Sequence, residues 1–135
     1  MIGDGRGTSS GVVTLPSPHA FDQTLIRLRA AIADHGLTLF LDLDQQAAAN
    51  ADGATMPRAH LLVFGRPRAG TPLLVSVPEA GVDLPLKAYL WEAGDGRVFV
   101  SYSDPPYLAE RHHLSAALSA PLAAIAPLVA GALTP

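Results

Sequence analysis

Residues 61–74, LLVFGRPRAGTPLL, place two arginines, two prolines and two glycines between apolar runs. Arg66 and Arg68 supply charge, Gly70 lets backbone approach closely, and Thr71-Pro72 has the form of an N-cap followed by a first-turn proline. A helix starting there would turn unpaired N–H groups and the positive end of its dipole towards a carboxylate or phosphate. The same residues also suit a capped helix after a tight turn with solvated arginines. No P-loop ending and no three-glycine dinucleotide pattern is present, so neither nucleotide motif is matched.

The histidines raise acid–base and metal chemistry. Glu110 and His113 are spaced i, i+3, a pairing that di-iron bundles use twice with further glutamates, but only one such pair occurs here, and no metal site is expected. His113, near Tyr102 or Tyr107, and His60, on a strand among apolar neighbours, are the weak candidates for a general acid or base. Asp42 and Asp44, two apart on a strand, would project to one face as a carboxylate pair, or simply end the strand and cap the segment after it. Nucleophilic hydrolysis has no support, since there is no Gly-x-Ser-x-Gly elbow and no cysteine.

These groups need elements to position them. Gly11–Leu15 reads as a first strand, and Ser17-Pro18 as the start of a helix over 18–35 whose apolar face is Phe21, Leu25, Leu28 and Ile32, stopped by Gly36. A second strand comes next over 37–44 with Leu37, Leu39, Leu41 and Leu43 alternating, then a helical turn at 45–50 and a third strand at 60–64. After the short helix opened by Thr71-Pro72, strands at 84–92 and 97–103 flank Ala93-Gly94-Asp95-Gly96 and should form an antiparallel hairpin. An alanine-rich C-terminal stretch carries a helical stripe, bent or broken near Pro121 and Pro127. The order β-α-β-β-α-β-β-α predicts an α+β fold, mainly antiparallel, with helices packed on one face. Pro85, Lys87, Tyr89 and Trp91 fall on one side of their strand and Phe99 joins them, so a second, aromatic face is expected to meet a partner subunit or an apolar ligand.

With 135 residues, 49% apolar and 16% charged, the chain is sized for one core: a flexible tail over 1–10 and a single domain over 11–135. The net charge of −3, with nine scattered Lys and Arg, argues against nucleic acid. The polar N-terminus lacks a signal-peptide core and the most apolar tract, 122–133, is too short for a bilayer, so cytoplasmic residence without membrane insertion is expected.

Taken together, LFLDLD at 39–44, LLVFGRPRAGTPLL, VDLPLKAYLWE at 82–92 and VSYSDPPYLAERHHL at 100–114 resemble the small prokaryotic family called domain of unknown function 302, over roughly 12–118. The resemblance implies a compact α+β domain that often self-associates and has no established activity. Two positions depart from the pattern: Arg66 stands where relatives usually carry Asn, and Gln45 where they often carry His. The expected function is a homodimeric binding module, without cofactor, for an apolar or carboxylate-bearing small molecule, with Arg66, Arg68, Thr71, Lys87, Tyr89 and Tyr102 as candidate ligand contacts. The alternatives are a small enzyme using His113 or His60, and a protein-interaction or regulatory domain.

Overall fold

A computed structural model describes residues 7–135. Six strands, β1 (Gly7–Ser9), β2 (Val12–Pro16), β3 (Thr38–Asp44), β4 (Ala59–Gly65), β5 (Leu86–Glu92) and β6 (Val98–Ser103), form one sheet in the order β1-β2-β6-β5-β4-β3. Every neighbouring pair is antiparallel, as the hairpin signals predict. Of the expected tail, residues 1–6 lie outside those described, and Gly7–Ser9 instead pair with β2 across the Ser10-Gly11 turn. Both turn residues have positive φ, the backbone that a two-residue hairpin requires.

The helices are α1 (Phe21–Asp34), α2 (Gln45–Ala51), α3 (Pro67–Ser76), α4 (Pro105–Arg111), α5 (Ala116–Ser119) and α6 (Ile125–Ala132), with 3-10 turns at Pro78–Val82 and Ala120–Ala124. Leu25, Leu28 and Ile32 of α1 and Ile125, Leu128 and Val129 of α6 are buried against Leu62, Phe64, Ala88, Leu90 and Val100 of the central strands. The α+β class with helices on one sheet face is therefore borne out. A smaller cluster of Leu73, Ala80, Leu108 and Leu122 joins the main core through Leu86. Pro127 sits in the first turn of α6, where a missing N–H costs nothing, and Pro121 falls in the 3-10 turn that precedes it.

Two helix starts differ from the sequence reading. Ser17 does not cap α1, because its N–H still bonds the Val98 carbonyl and extends the β2–β6 ladder. The chain then needs residues 18–20 to turn, and α1 begins at Phe21; Ser17 Oγ accepts from His19 N–H and bonds the buried Thr24 hydroxyl instead. Likewise α3 begins at Pro67, with extended Arg66 as its N-cap, so Pro72 lies inside the helix. The Arg66-Pro67 pair satisfies the first-turn proline rule as well as Thr71-Pro72 does, and Ala69 and Gly70 N–H close onto the Arg66 carbonyl.

In β3 the pairing register slips between Leu39 and Leu41, a bulge that leaves Phe40 unpaired. Facing residues of an antiparallel pair share a side, so Leu39 with Phe64 points to the helices while Leu41 with Val63 points away. The four leucines expected on one face are thus divided. Asp42 and Asp44, opposite Leu62 and His60, are turned towards the helix side.

Candidate functional site

The bulge, the start of α3 and the loop before β5 enclose a cavity of about 440 Å³. Its walls are mainly apolar: Phe40 from the bulge, Leu73 and Leu74 from α3, Leu84 and Pro85 before β5, and Leu122 from the second 3-10 turn. The polar side chains on its lining are few, namely Arg66, Thr71 and His35. This combination of apolar walls with a few placed polar groups is the usual character of a small-molecule site.

Arg66 is held by α1. Its Nη2 donates to the His35 carbonyl at 2.8 Å, at the helix C-terminus where the dipole favours a cation. Gly36 makes that approach feasible: its φ of +70° continues the chain past α1, and a Cβ there would lie 3.2 Å from Nη2. No carboxylate among the described residues lies within 4.0 Å of Arg66 or Arg68, whereas Arg29, Arg58, Arg97 and Arg111 each contact an aspartate. Nε and Nη1 of Arg66 and the Thr71 hydroxyl make no hydrogen bond among the described residues, leaving donors beside an apolar space. The anion cradle expected at a Thr71-Pro72 helix start is not formed there, because Thr71 sits mid-helix; charge comes from Arg66 at the N-cap.

The remaining candidates lie elsewhere. Arg68 is exposed on the first turn of α3 and does not line the cavity. Lys87 and Tyr89 project from the opposite sheet face, where Tyr89 faces Leu61 and Ser101. Burial pushes the Lys87 ammonium below its ordinary value, opposed by the Asp83 charge, and its Nζ donates to the Asp83 carbonyl at 3.0 Å. Tyr102 is buried in the main core. His113 is exposed, in left-handed backbone just after α4. Its neighbour His112 is the packed one, with Nε2 2.5 Å from an Asp83 carboxylate oxygen.

His60 and the acidic pair do converge. His60 Nδ1 lies 2.6 Å from Asp42 Oδ1 and Nε2 lies 3.6 Å from Asp44 Oδ2, while Arg29 Nε donates to Asp42 at 2.8 Å. Burial works to raise the Asp42 carboxyl, but the His60 and Arg29 hydrogen bonds outweigh it and hold the group below its ordinary range. Nearby, Arg58 pairs with Asp22 at 2.5 Å and covers the Phe21 ring, which itself meets His60 at 5.7 Å. The result is a clamp fastening α1 to β3 and β4. It stands apart from the cavity: His60 is five residues up β4 from Gly65, roughly 16 Å at ~3.3 Å per residue. Neither candidate histidine lines the cavity, and no group of three or more His, Asp or Glu suited to a metal occurs among the described residues.

Sequence reasoning missed most of the walls. Phe40 enters through a bulge that only pairing with β4 defines, and Leu122 arrives from a segment some fifty residues further along the chain. The one local signal was the Arg66-Pro67 helix start.

A family model described as "Domain of unknown function DUF302" matches residues 13–131. A protein of Brucella suis biovar 1 (strain 1330) named fluoride-specific ion channel FluC 1 is 38% identical over 105 residues, covering 78% of this chain and 41% of that protein. A FluC 1 of Brucella abortus biovar 1 (strain 9-941) is likewise 38% identical, with 78% of this chain and 39% of that protein covered. The chain therefore spans about two fifths of the curated relatives it matches. Among solved structures, a DUF302 protein from Bacillus stearothermophilus, described as uncharacterized and conserved, superposes with a TM-score of 0.75 at 17% identity. The match covers 93% of this chain and 97% of that one, a likeness of fold. No helix among the described residues is long and apolar enough to cross a membrane.

Proposed function

Because the chain belongs to the DUF302 family, whose description assigns no activity, we propose from the geometry of the cavity that it is a cytoplasmic, homodimeric binding module for a small apolar carboxylate. The observation that carries this reading is an arginine with no carboxylate partner among the described residues, Arg66, at the wall of an otherwise apolar cavity. An apolar tail would displace water from Phe40, Leu73, Leu84 and Leu122, and the carboxylate would accept from Nε or Nη1 of Arg66 and from the Thr71 hydroxyl. At ~30 Å³ per water-sized atom the cavity suits a ligand of roughly 15 non-hydrogen atoms. Decanoate is a suitable probe.

The homodimer is supported by the second sheet face, on which Leu61, Val63, Tyr89 and Trp91 remain part-exposed in the single chain. A second copy would cover that row. The test is native mass spectrometry of the purified protein with a thermal-shift series comparing decanoate with decanol. A dimer stabilised more by the acid than by the alcohol is expected; a bare monomer indifferent to both would end this reading.

A second reading, a protein-interaction or regulatory domain, is favoured by the curated relatives, which are named fluoride channels and are more than twice as long as the stretch matched here. Co-purification of a specific protein in place of a small molecule would favour it.

A further inference from the structure

β3 is an outer strand of the sheet: it pairs with β4 on one side and with no strand among the described residues on the other. Alternate residues of such a strand turn their N–H and C=O groups outward. No hydrogen bond among the described residues reaches those outward groups of Thr38–Asp44. Phe40 and Leu41, in the middle of the strand, are 48% and 47% exposed, so neither α1 nor a loop covers the edge there. The opposite outer strand, β1, has only three residues against seven. A long uncovered edge is a template for one more strand.

The cavity opens on the same strand, since Phe40 and Leu37, just before it, both line the space. Arg66 marks one end of the edge. Its Nη2 donates to the His35 carbonyl and lies 3.2 Å from the position a Cβ on Gly36 would take, two residues before β3 begins. A strand added antiparallel to β3 brings its C-terminus to that end, whereas a parallel one brings its N-terminus, and an ammonium there would meet the arginine. Charge therefore selects the antiparallel direction and a terminal carboxylate. The acidic groups close by in sequence do not occupy Arg66. Asp34 follows Arg27 at i+7, on the stripe of α1 that turns to α6, where Arg27 Nε donates to the Ala132 carbonyl. Asp42 and Asp44 lie at the far end of β3, engaged by Arg29, His60 and the first turn of α2.

Resting on the reading of the cavity as a site for an apolar carboxylate, we propose that this carboxylate is the C-terminus of a partner protein, bound as an extended peptide on the free edge of β3. The peptide runs antiparallel to β3, its last side chain enters the cavity, and its carboxylate accepts from Nε or Nη1 of Arg66 and from the Thr71 hydroxyl. The cavity of about 440 Å³ holds a terminal leucine or phenylalanine together with its carboxylate, at ~30 Å³ per water-sized atom. Main-chain bonds to β3 supply affinity without reading sequence, and the cavity selects a large apolar last residue.

The test is isothermal titration of the full chain with the peptide acetyl-Lys-Val-Thr-Val-Thr-Leu, with its C-terminal amide and with acetyl-leucine. The free-acid peptide should bind at least about tenfold tighter than either of the others. Of two analogues N-methylated at adjacent residues, the one whose N–H faces β3 should lose about tenfold and the other should keep its affinity, the period of two that strand pairing imposes. Hydrogen exchange of the Thr38–Asp44 amides should slow when the peptide is bound. A peptide no tighter than acetyl-leucine, or two N-methylated analogues that bind alike, overturns the proposal; decanoate that still binds then leaves the cavity reading standing. Outward β3 amides already protected in the free protein also overturn it, because a second copy then holds the edge. Failure of decanoate and of every peptide removes both readings. Peptide binding without decanoate binding keeps the edge site and puts the peptide in place of the small molecule.

Discussion

Replacing Arg66 by asparagine would separate the stabilising role that its hydrogen bond gives it from the binding role proposed for it. The stabilising role is its Nη2 bond to the His35 carbonyl at the end of α1. One exposed hydrogen bond of this kind contributes about 0.5–1.5 kcal/mol and a cation at a helix C-terminus about 0.3–1 kcal/mol. Arg66→Asn should therefore cost about 1–2 kcal/mol, a fall of about 4–8 °C in melting temperature for a domain near this size. The approach past Gly36 fits a guanidinium that reaches the carbonyl from a distance, and a short amide does not span it.

The proposed binding role should weigh more. A carboxylate held by one or two charge-assisted hydrogen bonds at an apolar wall gains about 1.5–3 kcal/mol from the arginine. Losing it weakens decanoate by roughly 10- to 150-fold. Isothermal titration of decanoate into wild type, Arg66→Asn and Arg66→Lys, at a temperature where all three are folded, separates the roles. Lysine should keep part of the affinity as a point charge and lose the forked geometry. Decanol should bind the three proteins alike. Equal decanoate affinity in wild type and Arg66→Asn, alongside the expected loss of stability, would refute the anion site and leave Arg66 as a cap on α1.

Three further outcomes are expected. Gly11→Ala should destabilise by about 1–3 kcal/mol, since φ is +83° and the new Cβ would fall 2.3 Å from the Tyr107 ring; urea unfolding with a lowered midpoint and unchanged slope checks it. Asp42→Asn should cost about 1–3 kcal/mol at pH 7. The Asp42 carboxyl is held below its ordinary value, so its contribution is fully present at pH 7 and fades as pH falls below about 4 towards the folded pKa, and the deficit of the variant should be smaller at pH 3 than at pH 7. Paired urea melts at the two pH values decide this, and an equal deficit at both would show that charge is not the cause. Leu61→Glu, on the half-buried second sheet face, should convert a dimer to monomer in native mass spectrometry with the decanoate affinity kept; a persistent dimer would place the interface elsewhere.

Legibility in the sequence tracked the range of the interactions involved. The apolar face of α1 and the two-sided alternation of β5 are properties of contiguous residues, and the structure buries Leu25, Leu28, Ile32, Ala88 and Leu90 as the periodicities predict. The family signatures were legible for the same reason. Helix starts were half legible, because Arg66-Pro67 and Thr71-Pro72 carry the same local signal and only the closure of Ala69 and Gly70 N–H onto Arg66 distinguishes them. At Ser17 the local signal lost to a ladder bond with Val98, more than eighty residues away.

The β3 bulge shows what this does to a site. Before the slip, Leu39 lies on the core side; after it, Leu41 leaves that side and Asp42 and Asp44 take it. A strand without the bulge would keep all four leucines together and point both aspartates away from α1, and the His60 clamp would not form. The same slip frees Phe40 to stand against Gly65 and Pro85, where it becomes a wall of the cavity. One unpaired residue thus decides both the fastening of α1, through Asp42 to Arg29 and His60, and the shape of the space that Arg66 faces. Because α1 also supplies the His35 carbonyl that aims Arg66, the clamp and the cavity are connected through a single helix. Weakening the clamp should therefore reach the ligand affinity through the position of Arg66, without any contact between His60 and the ligand.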